Sequence, residues 1–110
     1  MSKRKIPKKV KEEIKKYVQI LKDDQVKIDK VFLFGSYARG DQNRWSDIDL
    51  CIVSPKFKNY WKANSYLWSK RIISDVNYCI EPVGFNNQEF SDKSSMIVSE
   101  IKKNGIEIKI

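Results

Sequence analysis

With 110 residues the chain has room for one domain, expected to span 1–110 with residues 1–6 as a flexible basic leader, and not for two independent cores. Its 41% hydrophobic and 33% charged residues argue against a disordered tail, and no apolar run approaches the roughly 20 residues of a bilayer span. No signal-type apolar stretch follows the basic start Met1-Ser2-Lys3-Arg4-Lys5, so the cytoplasm is the expected location.

Two cysteines, Cys51 and Cys79, lie in apolar runs and read as reduced, buried small hydrophobes. With no histidine in the chain, a structural zinc site lacks its ligands, so any metal must be a hard cation held by carboxylates. The formal charge of +8 makes an anionic partner reasonable. Residues 1–30 carry most of it, with 11 Lys/Arg against 5 Asp/Glu.

Pro7 suits a helix start, and Val10, Ile14, Tyr17, Val18 and Leu21 then recur at helical spacing. Lys8, Lys9, Lys11, Lys15 and Lys16 fall largely on the other faces, where a solvated surface is the simpler account and a nucleic-acid footprint the sharper one. Lys30–Phe34 predicts a short buried strand stopped by Gly35, with Ser36 as N-cap of a short helix. Asp47–Val53 predicts a second strand that turns Ile48, Leu50 and Ile52 to one face and Asp47, Asp49 and Cys51 to the other.

Lys58–Ser74 predicts a helix whose stripe of Trp61, Ser65, Trp68 and Ile72 is expected to pack in the core rather than to stack on bases. Asp75–Val83 predicts a third strand, in which Pro82 marks an edge or an end. Gln88–Lys103 reads as a helix in two pieces stopped by Asn104-Gly105, and Ile106, Ile108 and Ile110 alternate as a closing strand with one face buried. Strands alternating with helices give an α/β fold (α+β by some schemes), a single-domain mixed sheet flanked by helices.

The chemistry concentrates in Phe34-Gly35-Ser36-Tyr37-Ala38-Arg39-Gly40-Asp41 and Ser46-Asp47-Ile48-Asp49-Leu50. Asp47 and Asp49 project from the same strand face, and two anions so close repel unless a cation lies between them; magnesium suits such oxygen ligands. A strand that ends in Gly35, with Ser36 opening a helix, leaves unpaired N–H groups that suit a phosphate. Either half alone is weak evidence, because surface Asp pairs and Gly-Ser turns are common. Together they place a phosphate turn between two core strands, with ten residues between Ser36 and the acid pair that begins at Asp47.

This arrangement resembles the nucleotidyltransferase superfamily related to DNA polymerase beta and kanamycin nucleotidyltransferase, closest to its minimal single-domain branch. The resemblance rests on residues 34–54, and the order of elements is compatible through Ile110. It implies the polymerase beta-like fold and transfer of a nucleoside monophosphate, AMP first, from an NTP such as ATP to an acceptor hydroxyl with release of pyrophosphate. It also implies a third acid on a later strand. Glu81 is the best candidate and Asp75 the fallback.

By the same resemblance, Asp47, Asp49 and Glu81 would be catalytic and hold two magnesium ions, and Gly35, Ser36 and Arg39 would bind the nucleotide phosphates. Arg44 is as well explained by a surface role. The chain reaches Ile110 without an acceptor-binding domain, so the expected acceptor lies on a separate helical HEPN-type protein, in an antitoxin-like pairing that would modify a partner tyrosine. Two other classes stay open: a non-catalytic antitoxin that acts by contact alone, and an RNA- or DNA-binding or RNA-end-modifying protein that uses the basic first helix. Self-association is a further possibility, and no membrane partner is expected.

Overall fold

The computed structural model describes residues 6–42, 47–73 and 80–110. Most of the expected leader (residues 1–5), Arg44, Asp75 and Cys79 lie outside these residues. The elements are α1 (Lys8–Asp23), β1 (Lys30–Phe34), α2 (Ser36–Arg39), β2 (Ile48–Val53), α3 (Tyr60–Ile73), β3 (Ile80–Phe85), α4 (Asn87–Phe90), α5 (Met96–Asn104) and β4 (Ile106–Ile108). They follow the expected order, with the late helical stretch in two pieces.

Alternation along the strands sorts their side chains onto two faces of one mixed sheet. Its order is β3-β2-β1-β4; β1 runs antiparallel to β2 and β4, and β2 runs parallel to β3. Val31, Leu33, Ile48, Leu50, Ile52 and Ile80 turn to the face covered by α1 and α3. Cys51, Val53, Val83 and Phe85 turn to the other face, where Phe90 of α4 and Val98 and Ile101 of α5 close the second core. Burial there pushes the Cys51 thiol up to about 12.

α1 buries the five apolar residues the spacing singles out, and its lysines stay exposed. The buried Tyr17 hydroxyl donates to the Leu67 carbonyl at 2.6 Å, tying α1 to α3. Along α3 the stripe is corrected. Ala63 and Leu67 enter the core, whereas Trp61 is 80% and Trp68 38% exposed. The cause lies in β3: a Cβ at Gly84 would come within 2.7 Å of Leu67 Cδ1 and 3.1 Å of Ala63 Cβ, so the bare glycine lets the small side of α3 seat on the strand. Gly84→Val is expected to cost about 1–3 kcal/mol by overpacking this contact. A lower urea midpoint with an unchanged slope would show it.

β3 is an edge strand, as Pro82 suggests, but it runs on to Phe85 instead of stopping at Val83. On its free edge, Trp68 Nε1 donates to the Pro82 carbonyl at 3.1 Å, and the Asn64 side chain accepts from Gly84 N–H at 3.2 Å. The missing proline N–H on this edge therefore costs no ladder bond. At the other edge the closing strand is shorter than expected: Ile106 and Ile108 are half-buried, and Ile110 lies beyond it and is exposed.

Candidate active site

The sheet register brings the two halves of the motif together. Phe34 at the end of β1 pairs with Asp49 near the start of β2, and Asp49 pairs with Glu81 near the start of β3. Gly35 follows Phe34 with φ 74° and ψ −150°, a conformation essentially reserved for glycine. A Cβ there would lie 2.0 Å from Asp49 Oδ2 and 2.9 Å from Asp49 Cγ, so the backbone of the turn rests directly on the carboxylate.

The N-cap of α2 is Gly35, and Ser36 is the first helical residue, not the cap the sequence suggests. The turn needs the positive φ more than a side-chain acceptor, and only glycine supplies that φ without strain. Ser36 therefore sits in the first turn, where N–H groups have no acceptor within the helix. Arg39, in the last turn of α2, pairs with Asp41 at 3.2 Å and still faces Asp49 closely enough to favour its charged form.

Asp47 is half-buried and immediately precedes β2 rather than opening it. Burial and the Asp47 charge push the Asp49 carboxyl above its ordinary range, opposed by a hydrogen bond from Glu81 and by Arg39. Glu81 is raised for like reasons: burial first, then the charge of Asp47 and a hydrogen bond to it, then the charge of Asp49, with Arg71 opposing. The bond with Glu81 works towards the ionised form of Asp49, and the bond with Asp47 works towards the protonated form of Glu81.

Among the described residues no three His, Cys, Asp or Glu side chains already stand as a metal cage. Asp47, Asp49 and Glu81 instead lie within reach of one another's charge, with Glu81 hydrogen-bonded to both aspartates. Asp49 and Glu81, both pushed above their ordinary range, form with the neighbouring Asp47 a donor set suited to a hard divalent cation, whose charge would relieve the repulsion. The fit is therefore chemical. Of the two candidates for the third acid, Glu81 is the one the register sets beside Asp49.

Asp49 and Glu81 also border a cleft of about 620 Å³, whose other side is built from Tyr60, Trp61, Asn64, Ser65 and Trp68. No lysine or arginine occurs among the described residues that line it. Sequence reasoning missed this wall because it assigned the tryptophans to the core. The available signal was a second helical row, Ala63 and Leu67, better suited to burial against a glycine-bearing strand.

The fold and this constellation define a nucleotidyltransferase domain. A family model of that description, Nucleotidyltransferase domain, matches residues 14–108, and the chain belongs to that family. It is 41% identical over 63 residues to a Methanocaldococcus jannaschii protein provisionally named protein adenylyltransferase MJ1379, covering 53% of this chain and 62% of that one. It is 41% identical over 39 residues to protein adenylyltransferase MntA of Shewanella oneidensis, covering 36% and 28%. The chain thus spans less than two thirds of the length of these curated relatives.

Solved structures share the fold. A mutant of the toxin–antitoxin MntA-HpeT superposes with TM-score 0.58 at 22% identity, over 87% of this chain and 71% of that one. A toxin–antitoxin crystallised with AMP-PNP gives 0.53 at 21%, over 88% and 70%. Among the described residues no helix is long and apolar enough to cross a membrane.

Proposed function

We propose that the chain transfers a nucleoside monophosphate, AMP first among them, from an NTP to a hydroxyl on a separate protein, and so acts as an antitoxin on a helical HEPN-type partner. The carrying observation is Gly35 resting on the Asp49 carboxylate beside Glu81. In this reading a phosphate-compatible turn, a metal-compatible acid pair and a third carboxylate with raised proton affinity meet at one point. The names of the relatives, protein adenylyltransferase and toxin–antitoxin, support this choice of donor and acceptor. ATP as donor accords with work in the cytoplasm.

In this reading Gly35 lets the β- and γ-phosphates approach the backbone, and Ser36 donates to them through its N–H and hydroxyl. Arg39 exchanges Asp41 for phosphate. Asp47 and Asp49, with Glu81, would hold magnesium, which supplies charge neutralisation and a lower pKa for the acceptor hydroxyl. The acceptor oxygen attacks the α-phosphorus, the bond to the bridging oxygen of pyrophosphate breaks, and the Glu81 carboxylate takes the hydroxyl proton. A tyrosine suits this scheme, since its phenol is already the more acidic kind of side-chain hydroxyl.

Lysines 8, 9, 11, 15 and 16 lie on α1, and α1 packs on the sheet face opposite to the one that carries Asp49. A nucleic acid held by them would be on the wrong side of the sheet for its end to reach the acids, which favours a protein acceptor. The test is incubation with α-labelled NTPs, Mg²⁺ and the product of a neighbouring helical reading frame. Label on a tyrosine of that protein is the expected result. Label on RNA, or partner inhibition preserved in an Asp47/Asp49 double variant, would overturn the reading.

A further inference from the structure

We infer that the cleft lined by α3 and by Ile97 of α5 is the docking surface for the acceptor-bearing segment of the partner protein, and that it takes a segment in which apolar residues flank the acceptor hydroxyl. The inference rests on the function proposed above and adds where, and by what chemistry, the partner is held.

The direction of attack sets the side. In-line displacement puts the attacking oxygen and the leaving pyrophosphate on opposite sides of the α-phosphorus. In the proposed mechanism the pyrophosphate lies at the turn after β1, Asp49 is on β2, and the base, Glu81, is on β3. From the turn to β3 is two strand spacings, roughly 10 Å. An acceptor oxygen that gives its proton to Glu81 therefore arrives from beyond β3. That strand is the edge of the sheet, and the cleft of about 620 Å³ that begins at Asp49 and Glu81 opens on its side.

The surface there is of the kind that binds protein. Six large apolar side chains are exposed among the described residues, and four of them, Tyr60, Trp61, Trp68 and Ile97, line this one cleft. A fifth, Met96, adjoins Ile97 and is 88% exposed. Scattered residues of this sort are ordinary, but a cluster beside an active site marks a contact surface. Tryptophan, tyrosine and methionine are also the side chains enriched at protein interfaces. Part of the wall is preorganised: Trp68 Nε1 donates to the Pro82 carbonyl at 3.1 Å, and the Arg71 guanidinium lies 4.5 Å from the Trp68 ring centre. Arg71 thus covers one part of Trp68, and Trp61, edge-to-face with Tyr60 at 5.9 Å, presents the larger open surface. An RNA acceptor would call for a row of Lys and Arg along its phosphates. The Arg71 guanidinium on Trp68 is set here against the Asp49 and Glu81 carboxylates at the inner end, and the α1 lysines lie on the other face of the sheet. The same carboxylates disfavour acidic residues next to the acceptor, so apolar neighbours fit best.

Transfer assays with the full chain, ATP, Mg²⁺ and the product of the neighbouring helical reading frame test this. Trp61→Ser with Ile97→Ser should raise KM for that protein about tenfold, the size of a lost interface anchor, and leave the calorimetric affinity for ATP unchanged. Trp61→Phe keeps a ring in place and should hold KM near the wild-type value. Ile110→Ser removes an exposed apolar side chain beyond β4, at the other edge of the sheet, and should alter neither quantity. If the double variant does not fold, Trp61→Ser alone decides, since that side chain is 80% exposed. A tyrosine pentapeptide with leucine flanks should compete with the protein acceptor at several-fold lower concentration than one with aspartate flanks. An unchanged KM for the protein acceptor in the folded variants, or equal competition by the two peptides, would overturn the dock and leave the proposed function standing. Label on RNA in the wild type, or on nothing, would overturn both.

Discussion

Asp49→Asn is expected to lower nucleotide transfer by at least about a hundredfold, since loss of a group that merely supports a metal ligand already costs 10–100-fold. The same change should leave the magnesium-free protein at least as stable as wild type. The amide keeps the size of the carboxylate but removes a charge from a cluster in which burial and Asp47 already hold Asp49 above its ordinary range. A site that must attract a cation stores repulsion when it has none, and relief of that repulsion stabilises the fold while ending the function.

The pH dependence has a definite sign. Asp49 and Glu81 both have raised values, so the folded state binds more protons than the unfolded one, and stability falls as pH rises from the ordinary carboxylate range through the raised values. Asp24 and Asp92 are depressed and act in the opposite sense, but they are common to both proteins. The melting temperature of Asp49→Asn minus that of wild type should therefore grow with pH over this interval. Thermal melts without Mg²⁺ and NTP turnover with it give the two readouts. Transfer at the wild-type rate would remove Asp49 from the chemistry, and a markedly lower melting temperature would make its role structural.

Much of this site was legible because it is written in local rules. Alternation in Ile48-Asp49-Leu50 anchors two residues in the core and fixes the direction of the acid between them, and the same parity on β3 turns Glu81 to the face that carries Asp49. What the sequence left open depended on neighbours distant in the chain. α3 has two rows at helical spacing, Trp61-Ser65-Trp68 and Ala63-Leu67, and periodicity cannot choose between them. Gly84 chooses, by admitting the smaller row. Ser36 is the better cap by side-chain preference, but the contact of Gly35 with Asp49 fixes where the helix starts, and that contact spans fourteen positions of sequence.

The largest single-methyl effect is expected at Gly35. Gly35→Ala meets two separate costs. Its backbone lies at φ 74° and ψ −150°, where a residue with a Cβ loses about 1–3 kcal/mol. The new methyl would also fall 2.0 Å from Asp49 Oδ2, a distance no pair of atoms tolerates, so the carboxylate must swing away or the turn must lift. Either movement separates the phosphate turn from the metal-binding acid. Gly40 provides the control. It caps the other end of α2 in the left-handed region, with φ 82° and ψ 16°, where alanine costs about 1–2 kcal/mol. Both variants should lose stability in urea, Gly35→Ala the more, but only Gly35→Ala should lose triphosphate binding and transfer. Equal loss of binding in both would mean that α2 needs only to be folded. Loss confined to Gly35→Ala would mean that glycine is present because a carboxylate and a phosphate must meet across it.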